Sequence, residues 1–378
     1  MTVKARLYSL MVLGLGILMS VTPAEARIKM VALPERARTI IRLDNPGATL
    51  IQEERTLTLQ KGINKVDFSW KAVRIDADSI RLAILTHREQ VALLSVSYPP
   101  NEEALVWDIH SQDAFEVRVR ISYLLSYLDR LITYKAVADK DEAHADLKSF
   151  LVLRNFSGED FQDASVSPGG DQTFQVDIRP GETKRVLFFK REGLPIEKRW
   201  VFDAEKLPWD PEQLDMNVGI PVIYRIGNVP ENGLGQAPLF KGKVRVFQDD
   251  GHGSTIFLGE DSSPVVPVGE AMEITIGDSR DIVVTQRKML EKRINVRRNR
   301  NNKVVLYDTD EILEAQIENF KDKAALLTMI QHIPGQWDME TCNMKYTRKD
   351  AHTLEFEVGL PARGKQKLTM HYHRRNLR

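Results

Sequence analysis

The densest chemistry in this chain is cationic. Arg287-Lys288-Met289-Leu290-Glu291-Lys292-Arg293 and Arg297-Arg298-Asn299-Arg300-Asn301-Asn302-Lys303 set eight basic residues against one acid. Such a cluster raises the local potential and draws an anionic partner: lipopolysaccharide, an acidic glycan or phospholipid head groups. The plainer reading is a solvated edge strand, on which Lys and Arg block sheet-to-sheet pairing.

Histidines come next. His371 and His373 flank Tyr372 in a run with strand alternation, so both imidazoles fall on one face. Two such imidazoles suit Zn²⁺ or Cu²⁺ once a third ligand joins them. The sequence identifies no third ligand, and it has no His-Glu-x-x-His or Cys-x-x-Cys spacing. A surface pair is the plainer reading. Asp249-Asp250-Gly251-His252-Gly253 lacks the alternating acidic ligands and distal Glu of a calcium loop, and reads as a polar hairpin turn. There is no Gly-x-Ser-x-Gly, no partner pattern for Cys342, and no Gly-rich phosphate loop before a helix. These observations assign no catalytic residue and no cofactor.

The elements that must carry these groups are strands. Phe115-Glu116-Val117-Arg118-Val119-Arg120-Ile121-Ser122-Tyr123 alternates apolar and polar without a fault. Thr56–Leu59 and Lys65–Trp70 do the same around a turn at Gln60–Asn64. Similar short runs continue to Leu368–Tyr372, separated by Gly, Pro, Asn and Asp clusters. Leu124–Ala145 and Asp308–Ile330 have helix-forming composition, but Leu313–Glu318 alternates and Asn319–Lys323 reads as a turn, so both are expected to be mainly strand. The pattern predicts an all-β protein of two or three β-sandwich-like domains with mainly antiparallel strands. The expected units are a small β domain over 27–104, a central β domain over 105–235 and a C-terminal β-sandwich over 236–378. The first cut follows the linker Tyr98-Pro99-Pro100-Asn101-Glu102-Glu103.

Residues 1–26 read as a cleaved signal peptide. Lys4 and Arg6 precede the apolar stretch Leu7–Val21, and Ala24 and Ala26 give a small-x-small cleavage pattern. The stretch is short for a transmembrane helix, and no later segment has the length for one. The chain is near neutral, with 53 basic and 53 acidic residues, so nucleic acid is not expected as a partner. One cysteine leaves no internal disulfide, and the core alone must hold the fold.

Several segments are similar to the mucoidy-inhibitor-like family, exported bacterial β-proteins built on domains of unknown function. They include Gly242–Gln248, Phe257–Asp261, Pro267–Glu270, Ile276–Ile282, Asn155–Phe161, Ile317–Lys321 and Ile333–Trp337. Leu59–Asn64 with Ile75–Ile80 resembles that family's smaller first domain. Family members often carry a long coiled coil between the two domains, but residues 99–112 leave no room for heptads here. The resemblance implies a bacterial envelope protein and brings no catalytic residues. Gly62, Gly158, Gly259 and Gly277 are expected at strand ends with positive φ. Trp70, Trp107 and Trp337 are expected in the core.

Taken together, the expectation is a non-catalytic binding or structural module in the periplasm or cell envelope. Its partner would be an envelope protein or an anionic glycan or lipid surface. The alternative is a hydrolase acting on envelope glycans or peptides through a dispersed Asp, Glu and His site.

Overall fold

The computed structural model describes residues 29–45, 47–169, 173–206 and 219–378. The expected signal peptide over 1–26 lies outside the described residues. What is described is all-β, interrupted only by the short 3₁₀ turns Ala77–Ser79 and Pro230–Asn232.

Alternation is the cause. In Phe115–Leu125, Val117, Val119, Ile121, Tyr123 and Leu125 are buried, while Glu116 and Arg118 are exposed. A period of two puts every second side chain on one face, so this strand has one core face and one wet face. It lies antiparallel to Ala48–Leu59 in unbroken register from Thr49↔Leu125 to Leu59↔Phe115. Leu124–Ala145 is strand, turn, strand: Tyr127 at φ 64° links Phe115–Leu125 in one sheet to Leu128–Ala138 in another. Asp308–Ile330 is likewise strand to Asn319 and strand again from Ala325.

Five sheets result. The first, in spatial order, is Lys29–Val31, Gly62–Ser69, Ala104–Ser111 and Val91–Ser97. The second is Phe174–Ile178, Phe161–Ser167, Arg38–Asn45, Ala48–Leu59, Phe115–Leu125 and Arg81–Ile84. The third is Thr183–Pro195, His144–Asn155, Leu128–Ala138, Gly242–Asp249 and Thr255–Ser263. The fourth is Ala271–Ser279, Ile220–Gly227, Glu197–Asp203, Ala325–His332, Thr353–Leu360 and Thr347–Arg348. The last is Ile282–Arg298, Val304–Asn319, Lys365–Leu377 and Gln336–Cys342. Most neighbours are antiparallel. The parallel pairs include Leu128–Ala138 with Gly242–Asp249 and Glu197–Asp203 with Ala325–His332.

Two hydrophobic cores lie between these layers. The first three sheets share one, with Ile41, Ile51, Trp107, Ile121, Tyr134, Leu151 and Val244 inside it. The last two share the other, around Phe202, Leu327, Phe356, Ala315 and Met370. Strand Ile220–Gly227 serves both: Ile220 and Val222 enter the second core, Tyr224 and Ile226 the first. Pairing also runs across residues 104/105 and 235/236. Gly62–Ser69 pairs with Ala104–Ser111, and Leu128–Ala138 pairs with Gly242–Asp249.

Trp70, Trp107 and Trp337 are all buried. Gly62, Gly158 and Gly277 have positive φ. Gly259 departs from the expectation. It lies inside strand Thr255–Ser263, and a Cβ there would stand 2.5 Å from the Ile276 carbonyl oxygen. Close backbone approach, not φ, is what requires glycine at that position.

Candidate functional site

The cationic run folds as the far half of a long hairpin. Strand Ile282–Arg298 pairs antiparallel with Val304–Asn319. The root of this hairpin is core: Ile282, Val284, Leu313, Ala315 and Ile317 belong to the second hydrophobic cluster. No residue between 286 and 312 does. The pairing also thins. Lys365–Leu377 accompanies the second strand only as far as Tyr307↔Leu377. Beyond that, Arg297↔Leu306 and Arg298↔Val304 stand as a two-stranded tip.

Local chemistry shapes the tip. Asn299 Oδ1 accepts from the backbone N–H of Asn301 and of Lys303, each at 3.0 Å. Asn302 takes φ 61° to close the turn, a conformation asparagine tolerates better than most residues. Register shifts between Lys288 and Leu290 and between Ile294 and Arg298 add bulges, with Asn295 at φ 49°. Bulges twist a ribbon and re-aim its side chains, so the basic residues do not all share one face.

The eight basic residues sort into two groups. Lys288 turns inward, 3.2 Å from Glu311 and 2.7 Å from Glu291. Burial pulls its ammonium pKa down, but those two carboxylates outweigh burial and hold it above the usual lysine value. Arg293 lies over the Tyr307 ring at 4.5 Å, and the Arg298 guanidinium donates to the Asn302 carbonyl at 3.0 Å. Arg287, Lys292, Arg297, Arg300 and Lys303 are exposed and form no ion pair among the described residues. From 292 to 305 the chain holds six basic residues and no acid. Met289, Val296, Val304 and Val305 are exposed beside them. The arm therefore presents cations and bare aliphatic side chains together.

The two histidines do share a face, and the structure supplies their neighbours. His371 Nε2 meets Asp310 Oδ1 at 2.5 Å. His373 lies 3.2 Å from the same oxygen through Nδ1, and 3.2 Å from Glu340 through Nε2. The rings are 5.6 Å apart, edge to face. Asp310 stands directly opposite His373 across the strand pair, a register no sequence pattern reveals. The Asp310 carboxylate accepts a hydrogen bond from His371, while the buried His373 Nδ1 makes none among the described residues. No group of three or more His, Cys, Asp or Glu set to hold a metal occurs among the described residues.

On the opposite face of the same strand, Glu311 is almost fully buried. It accepts from Thr309 Oγ1 at 2.7 Å and from the Tyr372 hydroxyl at 3.0 Å. Burial pushes its pKa up, but the Thr309 hydroxyl, the Lys288 ammonium and the Tyr372 hydroxyl outweigh it, leaving the carboxyl below the usual range. Burial and the adjacent Glu311 charge push the Tyr372 phenol well up. Another histidine, His332, contacts Asp203 Oδ1 at 3.0 Å, and that carboxylate also accepts from the Glu205 N–H and pairs with Lys206. This cluster reads as a brace at a strand end.

The 249–253 loop is the polar turn its composition suggests. Asp249 Oδ1 accepts from the Gly251 N–H, and Asp250 Oδ1 from His252 and Ser254. Cys342 is a free thiol whose pKa is raised by burial. No family model matches the chain, and no curated protein matches it.

Proposed function

We propose that this protein is an exported, non-catalytic binding module of the bacterial cell envelope that docks on anionic lipid head groups through the arm formed by residues 287–305. The observation that carries the reading is the arm's composition. Arg297, Arg298, Arg300 and Lys303 cluster at a two-stranded tip with Val296, Val304 and Val305 exposed beside them. A lipid–water interface suits that pairing: head-group charges meet the cations while aliphatic side chains enter the boundary. Export rests on the amino-terminal pattern of Lys4, Arg6, Leu7–Val21, Ala24 and Ala26. The envelope setting rests on the similarity to the mucoidy-inhibitor-like family.

The test is co-sedimentation of residues 27–378 with phosphatidylglycerol–phosphatidylcholine vesicles at low salt. Each basic residue near an anionic surface contributes about 1 kcal/mol. Combined Arg297→Glu, Arg298→Glu and Arg300→Glu should lower vesicle affinity at least tenfold. Undiminished binding by that variant would sink the reading, as would equal binding of the unmodified chain to pure phosphatidylcholine.

A further inference from the structure

A second cationic surface lies far from the arm in sequence, on the solvent face of the five-stranded sheet. The registers Lys190↔Lys148, Lys148↔Lys135 and Lys135↔Arg245 place four basic residues side by side on four neighbouring strands. The row ends on the fifth strand, where Arg245 faces Glu260. Like charges directly opposite one another destabilise a sheet, so this row works against the fold that carries it. The outer members have partners. Lys190 pairs with Glu192, and Glu260 holds Lys243 and Arg245 at 2.5 and 2.6 Å. The central pair, Lys135 and Lys148, has no ion pair among the described residues.

At the Lys135–Arg245 end of the row the face dips into a shallow depression. Thr133, Lys135, Val152, Arg185, Lys243, Arg245 and Phe247 line a depression of about 390 Å³. Lys135 Nζ rides 4.8 Å above the Phe247 ring, and the Arg185 guanidinium lies 3.7 Å above the Phe150 ring. Beside them Leu131, Leu187 and Phe257 are exposed. The opposite face of the sheet is committed to the first core through Tyr134, Leu147, Leu151, Val244 and Val246. The outer face is open.

We infer that this face binds a linear acidic polysaccharide across the strands. Strands repeat every ~4.8 Å, so the four cations step across roughly 14 Å at that pitch. A chain with one carboxylate per sugar, laid along the row, meets them with charges at a comparable step. Exposed Leu131, Leu187 and Phe257 offer apolar surface to the C–H faces of the sugars. A compact anion would use one or two of these cations and leave the others repelling one another. The match between a periodic charge row and a periodic polyanion favours the chain.

The test is binding of residues 27–378 to polygalacturonate at low salt, with neutral dextran as control. The double variant Lys135→Gln and Lys148→Gln should weaken polygalacturonate binding at least tenfold. Triple reversal at Arg297, Arg298 and Arg300 should leave it within twofold. Both glutamines remove repulsion and touch neither core, so the thermal midpoint should hold or rise, and lost binding cannot be put down to unfolding. Three results overturn the assignment: no polygalacturonate binding by the unmodified chain, equal binding to dextran, or a loss seen only in the arm variant.

Discussion

The Tyr123 hydroxyl donates to the Glu53 carboxylate at 2.6 Å across a strand pair in the first core. Glu53 is fully buried, and its charge is met by Arg36 Nε at 2.9 Å and Arg55 Nη2 at 2.6 Å. Arg36 also pairs with Glu159, so one buried carboxylate ties the segment before the second sheet to the loop after Asn155. Breaking a buried ion pair leaves the surviving charges without a partner, at about 3–5 kcal/mol. Glu53→Gln should therefore lower the unfolding free energy by about 3 kcal/mol in urea titrations, and Tyr123→Phe by about 1 kcal/mol. A Glu53→Gln loss under about 1 kcal/mol would show that the network is not a brace.

The same contact sets an alkaline limit. Burial, then the adjacent Glu53 charge, push the Tyr123 phenol well above its ordinary value of 10.0. A raised phenol keeps its proton in the folded state, so its contribution is complete below the unfolded value and is lost as pH rises beyond it. Stability should fall above about pH 10, and the fall should be shallower in Tyr123→Phe. Identical slopes in the two proteins would refute this.

Gly158 and Gly62 separate two effects of a Cβ. Gly158 has φ 88°, and a Cβ there would stand 2.2 Å from the Ala72 carbonyl oxygen. Gly62 has φ 95° with open space around it. Gly62→Ala should lower stability by about 1–2 kcal/mol from backbone conformation alone. Gly158→Ala should lower it further, since the Arg74 to Ser157 backbone hydrogen bond beside it must shift as well. Equal losses in the two variants would mean that the loop around Ala72 yields without penalty.

Much of this architecture is legible in the residues, and the reasons for the rest are physical. Phe115–Tyr123 declares itself because one face is core and the other is wet. The basic arm is legible because its charges are contiguous. Glu53 is not. Gln52-Glu53-Glu54-Arg55 looks polar throughout, and only the pairing of Ala48–Leu59 with Phe115–Leu125 turns Glu53 inward. The row Lys190, Lys148, Lys135 and Arg245 is hidden for the same reason. Each residue is an ordinary wet-face lysine or arginine in its own strand. Their adjacency depends on registers between distant segments, one of them parallel. Asp310 joins His371 and His373 by register too.

Glu311 gives the second core an acid limit. Its pKa lies below the usual 4.5: burial raises it, but Thr309, Lys288 and Tyr372 lower it more. A depressed carboxyl contributes stability above its unfolded value and loses it as pH falls through the folded one. Unfolding free energy should therefore decline below about pH 4.5, with a shallower decline in Glu311→Gln than in the unmodified chain. Parallel acid limbs in the two proteins would remove Glu311 from the explanation.

The arm should be separable from the fold. Residues 287–305 contribute nothing to either core, and Arg297 and Arg300 form no ion pair among the described residues. Surface changes away from caps, cores and buried networks typically shift stability by less than about 0.5 kcal/mol. The triple reversal at Arg297, Arg298 and Arg300 should then leave the denaturation midpoint in place while vesicle affinity collapses. Raising salt should imitate it: exposed charges are screened over about 8 Å at physiological ionic strength and about 3 Å at 1 M. Vesicle binding by the unmodified chain should fall steeply between those conditions with no change in the midpoint. If the reversal instead lowers the midpoint in step with binding, the tip is part of the folded framework, and the loss of affinity is a consequence of unfolding.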